Sequence, residues 1–113
     1  MSISFKGFNE QVITFNTAAE LEAGTLVKMS DSATVAPCSD GDVFIGAVVS
    51  SHGNIAAVQT GGYISLPYSG TAPALGITSI SAADSDTIKE DSNGRTVTVI
   101  ELNEANETAG ILL

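Results

Sequence analysis

The segment TVTVIEL, residues 96–102, puts Val97 and Val99 on one side of an extended chain and Thr96 and Thr98 on the other. A period of two belongs to a half-buried strand, because successive side chains of a pleated backbone point to opposite faces. Runs rich in Val, Ile and Thr also occupy 25–29, 34–36, 43–49 and 55–60. Such β-branched residues favour strands. Between the runs lie turn clusters: Ser30-Asp31-Ser32, Ser39-Asp40-Gly41-Asp42, His52-Gly53-Asn54 and Asp91-Ser92-Asn93-Gly94. Many short strands separated by Gly, Asn and Asp turns predict an all-β fold, a small single-domain barrel or β-sandwich.

Asn93-Gly94 is the strongest local hairpin signal, since both residues tolerate positive φ. It is expected to join 87–89 to 96–102, with a further turn at 103–106 leading to a buried last strand at 109–113. In GGYISLPYSG, residues 61–70, the glycine pair marks a bend or bulge at a barrel corner. Ile64 and Leu66 then face the core, Tyr63 and Ser65 face outward, and Pro67 ends the strand. Residues 68–73 read as a surface loop that offers Tyr68, with Tyr63, for contact. Helix signal is confined to Thr17 and Glu20 at capping-box spacing before Gly24, so at most one short helical turn is expected near 17–23.

Residues 1–16 fit neither period. Phe5, Phe8, Val12, Ile13 and Phe15 crowd this stretch, which reads either as a first barrel strand or as an arm that orders on another molecule. Residues 17–113 form the barrel domain in either case. No second domain or linker is visible. Gly24-Thr25-Leu26-Val27 and Gly46-Ala47-Val48-Val49 are alike over too few residues to define a repeat.

The 113 residues are enough for one domain with a modest core. The core must be aliphatic, because aromatic residues make up only 5% of the chain and Trp is absent. A net charge of −9 opposes binding to phosphate backbones and to anionic lipid. Nucleic acid and membrane are therefore not expected partners, whereas a basic protein surface would be attracted. Cys38 is the only cysteine, which rules out an intrachain disulfide. The longest apolar run, 43–49, is too short to cross a bilayer. The N-terminal stretch lacks an apolar signal core, so synthesis in the cytoplasm without classical export is expected.

Candidate chemistry is sparse. His52 stands among Ser50, Ser51 and Asn54, but no G-x-S-x-G elbow accompanies it, and it reads as a turn residue. Cys38 has no basic sequence neighbour to activate it. One Cys and one His cannot supply a usual four-ligand zinc site. The acidic stretches at 40–42, 84–86 and 90–94 are possible calcium loops that do not match the EF-hand register, and read as solvated turns. Val27-Lys28-Met29 resembles the attachment lysine of biotin-carrier domains, with Val27 in place of the usual Met. Lys28, however, lies within an apolar strand. No catalytic residue, cofactor or metal is expected.

Several stretches are familiar in combination: Phe5-Lys6-Gly7-Phe8-Asn9-Glu10, Ala23-Gly24-Thr25-Leu26-Val27-Lys28-Met29, Thr34-Val35-Ala36-Pro37-Cys38 and Phe44-Ile45-Gly46-Ala47-Val48-Val49. Ala57-Val58-Gln59-Thr60-Gly61-Gly62-Tyr63 and Leu66-Pro67-Tyr68-Ser69-Gly70-Thr71-Ala72-Pro73 follow in the same order. The order resembles small phage and prophage capsid decoration, or head-fibre-like, structural proteins of tailed phages. In size and β content the chain is also similar to lambda-type head-decoration proteins. The resemblance implies a non-enzymatic homo-oligomer, a trimer by preference, that binds the major capsid protein on the outer head surface of the virion. It also implies that an N-terminal arm makes the capsid contact, which would use Phe5, Phe8, Val12, Ile13 and Phe15. A small β-barrel module that binds a ligand or carbohydrate is the alternative.

Overall fold

A computed structural model describes residues 11–113. Every described element is a strand: β1 (Gln11–Thr17), β2 (Leu26–Asp31), β3 (Thr34–Pro37), β4 (Gly46–His52), β5 (Ile55–Gly61), β6 (Tyr63–Pro67), β7 (Gly76–Ala82), β8 (Ile88–Glu90), β9 (Arg95–Asn103) and β10 (Thr108–Leu112). The chain is a small all-β single domain. The first five strands close into a barrel in the order β1-β3-β2-β4-β5, and the last five form a sheet in the order β6-β10-β9-β7-β8. Gly62, at φ 86°, turns the chain from one into the other, the corner anticipated at the glycine pair. Gln59 fixes that corner by donating from Nε2 to the carbonyls of Gly61 and Tyr63, at 3.1 and 2.7 Å.

The two halves share one topology. A single parallel bridge, Tyr68↔Ile88, nearly closes the second sheet by joining the end of β6 to β8. Numbered from its own first strand, each half then has the same ring order. Its parallel step falls in the same place, Thr17↔Val35 in the first half and Tyr68↔Ile88 in the second. Val48↔Val58 precedes a bulge at Val49, and Val99↔Ile111 precedes one at Ile100. Thr17 N–H donates to Asn54 O and Tyr68 N–H to Glu107 O, again at equivalent positions.

The interiors correspond as well. Val27, Val35, Val48, Ala56 and Val58 fill the barrel with Phe15 against them. Their counterparts Ile80, Ile88, Val99, Ala109 and Ile111, together with Leu66, fill the second half. The second half needs more than its own residues. Leu26, Cys38, Phe44 and Ala47 from the barrel's outer side belong to the same buried cluster. The connection between β3 and β4 makes this joint: Gly41 N–H donates to Ala82 O and Ala82 N–H to Asp42 O, at 2.8 and 2.9 Å. Arg95 secures it, with its guanidinium 5.6 Å from the centre of the Phe44 ring and Nη1 donating to the carbonyls of Phe44 and Ile45.

Some expectations are narrowed at this level and others are corrected. Of the two alternatives for residues 1–16, the described part, 11–16, takes the first-strand one: β1 pairs with β5 from Gln11 to Asn16 and runs on to Thr17. Only 1–10, outside the described residues, are left for an arm. No helical turn forms at 17–23: Thr17 ends β1 and bonds to Ala19, and Glu20 accepts from Gly53 N–H instead of capping a helix. Residues 43–45 precede β4 and form the joint. β7 was not anticipated, because Ile77-Thr78-Ser79-Ile80 offers only a weak alternation of large apolar groups. β7 also corrects the hairpin at Asn93-Gly94: β8 and β9 both pair with β7 and do not pair with each other. Neither Asn93 nor Gly94 has positive φ. Gly94 is required for space, because a Cβ there would land on the backbone of Ile80.

Candidate interaction surface

Most polar side chains singled out by sequence are committed to architecture. Lys28 donates to Asp42 at 2.7 Å from the middle of β2, not from a hairpin tip as a carrier lysine would. Lys89 pairs with Asp40 at 2.6 Å. Asp42 also accepts from Ser39 N–H, and both bonds hold its carboxyl below the usual carboxylate range. Asp84 accepts from Asp86 N–H and from the N–H and hydroxyl of Thr87, which lowers it to about 2. Asp91 accepts from Asn93 N–H and Ser81 Oγ. In each of the acidic stretches one carboxylate, Asp42, Asp84 or Asp91, therefore caps its own turn. Among the described residues, no three His, Cys, Asp or Glu side chains gather into a metal-binding cluster.

His52 is exposed at the end of β4. Ser51 beside it is occupied, accepting from Leu21 N–H and donating to Ile55 O at 3.0 and 3.1 Å. Cys38 is buried, and burial pushes its thiol up to about 11, which keeps it in the unreactive protonated form.

The described surface is consequently acidic. Lys28 and Lys89 are neutralised by partners and Arg95 is spent on the joint, while Glu22, Asp31, Asp86, Glu104 and Glu107 are exposed. Two features stand out against this background. The first is β1. Val12 and Ile13 are 46% and 49% exposed on the rim of the barrel, and Phe15 is half-buried against its interior. Among described strands, β1 pairs on its second side only at Asn16 and Thr17, so the backbone edge from Gln11 to Phe15 is open. Phe5 and Phe8, the remaining arm candidates, lie outside the described residues.

The second feature is a groove of about 420 Å³ on the outer face of the second sheet, lined by Ser65, Glu101, Asn103, Glu104, Thr108 and Gly110. Tyr63 borders it and donates its hydroxyl to Glu101. Gly110 makes room for this pair, because a Cβ there would collide with the Glu101 side chain and the Tyr63 hydroxyl. Burial and then the Glu101 carboxylate push the Tyr63 phenol up to about 12. The folded state thus holds this proton more tightly than the unfolded chain, whose phenol titrates near 10.0. That contribution to stability is complete below the unfolded value and is lost as pH rises through about 12. In a Tyr68→Phe background, absorbance titration should place tyrosinate formation near the raised value, and Glu101→Gln should bring it back toward the ordinary one.

Tyr68 corrects the expected contact loop. It is 6% exposed and packs in the shared core, where its backbone makes the bridge that nearly closes the second sheet. The phenol is thus not displayed. Nothing in residues 61–70 signals this, since the partner strand β8 lies twenty residues further along the chain.

No protein-family model matches the chain, and no curated protein is significantly similar to it.

Proposed function

We propose that this protein is a non-enzymatic component of a tailed-phage virion, a decoration protein that docks on the major capsid protein at the outer head surface and acts as a homo-oligomer. The observation that carries the reading is β1, whose backbone edge is open among the described strands, sits beside exposed Val12 and Ile13 and follows in sequence the phenylalanine-bearing residues 1–10. A sheet edge flanked by apolar side chains is equipped to pair with a strand of another protein, with backbone hydrogen bonds giving affinity and side chains giving selectivity. The acidic surface favours a partner that is basic around this contact. The virion enters this reading through the resemblance of the quoted stretches to decoration proteins, and not through a matching family model or curated relative.

Cosedimentation with heads assembled from the major capsid protein encoded in the same genome tests the proposal. The wild-type chain should pellet with heads. Removing residues 1–10, or replacing Val12 and Ile13 together by Asp, should abolish pelleting while circular dichroism stays unchanged. Retention of binding by both variants would refute the β1 contact, and failure of the wild type to bind would refute the virion reading.

The groove beside Tyr63 favours the second reading, a module for a small polar ligand, because its volume lies within the range of ligand sites. Chemical-shift perturbation at Ser65, Asn103 and Thr108 by a monosaccharide panel would support it.

A further inference from the structure

The shared topology makes a comparison that neither half offers alone. In the barrel, Leu26 pairs with Ala47 on the outer face, next to the Val48–Val49 bulge. In the second half, Ser79 pairs with Thr96 at the place in β7 that corresponds to Leu26, and Ile77 pairs with Thr98 one step further along the same outer face, beside Val99–Ile100. Leu26 and Ala47 are 0% and 2% exposed, because the second half covers them. Ile77 is 80% exposed, and Leu75 next to it 63%. The row continues from Ile77 through Thr98 and half-buried Leu112 to Tyr63. One face of this fold is thus closed by another unit of the same fold, and its twin is open.

We propose that the face carrying Leu75, Ile77, Thr98 and Leu112 is a self-association surface, covered by a second copy of this chain. Two observations select that occupant. The equivalent face in the barrel is already sealed, in the established joint, by a unit of the same topology. The row is also uncharged, and Glu101 near its end accepts the hydroxyl of Tyr63. Copies that each carry −9 can approach only where no unpaired carboxylates meet, and this row provides such a place. A basic partner would instead be drawn to the carboxylates elsewhere. The open flank of β7 from Gly76 to Thr78, before β8 begins pairing at Ile80, adds a backbone edge to the same surface among the described strands. This inference rests on the homo-oligomer part of the proposed function, but it uses residues other than Val12 and Ile13, so it stands or falls apart from head attachment.

Sedimentation velocity of the full chain across a concentration series tests it. The wild type should associate reversibly, and more strongly as salt rises, since repulsion between like-charged copies is screened. Ile77→Glu should weaken association by roughly thirtyfold or more, as expected for a central interface residue. Its denaturation midpoint should stay unchanged, because Ile77 is exposed within one chain. Ile77→Thr retains the β-branched strand preference and should weaken association to a lesser degree. Val12→Asp should leave it intact. A monomeric wild type at the highest concentrations, or association unaffected by both Ile77 variants, would overturn the proposal. Loss of head binding by Ile77→Glu from a wild type that is monomeric would assign the face to the shell instead, and would equally overturn it.

Discussion

Replacing Phe44 by Ala should cost about 3–5 kcal/mol of folding stability, the range for an aromatic side chain removed from a packed interior. Phe44 is among the largest fully buried side chains, and it reaches the shared cluster from the connection between β3 and β4. The second sheet is closed by a single bridge only, so the groups that seal it from the barrel side carry a disproportionate load. Arg95→Ala should cost about 2 kcal/mol, because it strands the carbonyls of Phe44 and Ile45 and removes a cation from the ring face. The pair should be non-additive, with a coupling of about 1 kcal/mol in a double-mutant cycle read by urea denaturation. Additive losses would show that the guanidinium and the ring act independently, against the clamp described above. A joint built this way also requires both halves to unfold in one transition, and separate transitions in the Phe44→Ala variant would show that the halves depend on it for cooperativity.

Gly46→Ala should be nearly as damaging, at about 3 kcal/mol, the upper range for forcing an extra carbon into a packed site. Gly46 pairs with Val27 at the start of β4, and a Cβ there would fall on the carbonyl oxygen of Gln59. The obstacle is backbone, so no rotamer change relieves it. Gln59 is itself fixed by the two bonds that shape the corner between the halves. Gly53→Ala is the useful comparison: the φ of 60° disfavours a side chain, but nothing lies within 4 Å of the new carbon. It should cost about 1–2 kcal/mol, the penalty of the left-handed conformation alone. Equal midpoints for the two variants in chemical denaturation would contradict the steric account of Gly46.

The shared topology of the two halves was hidden in the sequence for a physical reason. Its equivalent positions conserve apolar character and pairing while changing residue type: Phe15 matches Leu66, Val27 matches Ile80, Val58 matches Ile111. Barrel interiors accept such exchanges when total volume is kept, so selection for packing leaves little trace of residue identity. The resemblance between residues 24–27 and 46–49 lies within one half and has no part in the correspondence between the halves. The candidate interaction surfaces were half legible. Crowding of Val12, Ile13 and Phe15 before the first turn drew notice to this stretch while leaving strand and arm both open, whereas Ile77 looked unremarkable because exposure is a property of what the rest of the chain covers.

The amino-acid order alone set the local facts: extended segments with two faces, turns at Gly, Asp and Asn, an aliphatic core and an acidic exterior. Each follows from interactions within a few residues or from composition. Which strands lie side by side was decided only by the tertiary structure, since alternation tells a strand which face to bury and not which neighbour to choose. The insertion of β7 between β8 and β9, the burial of Tyr68 and the placement of Phe44 in the joint all come from closing backbone hydrogen bonds across long stretches of chain. That closure is a global condition, satisfied once for the whole molecule.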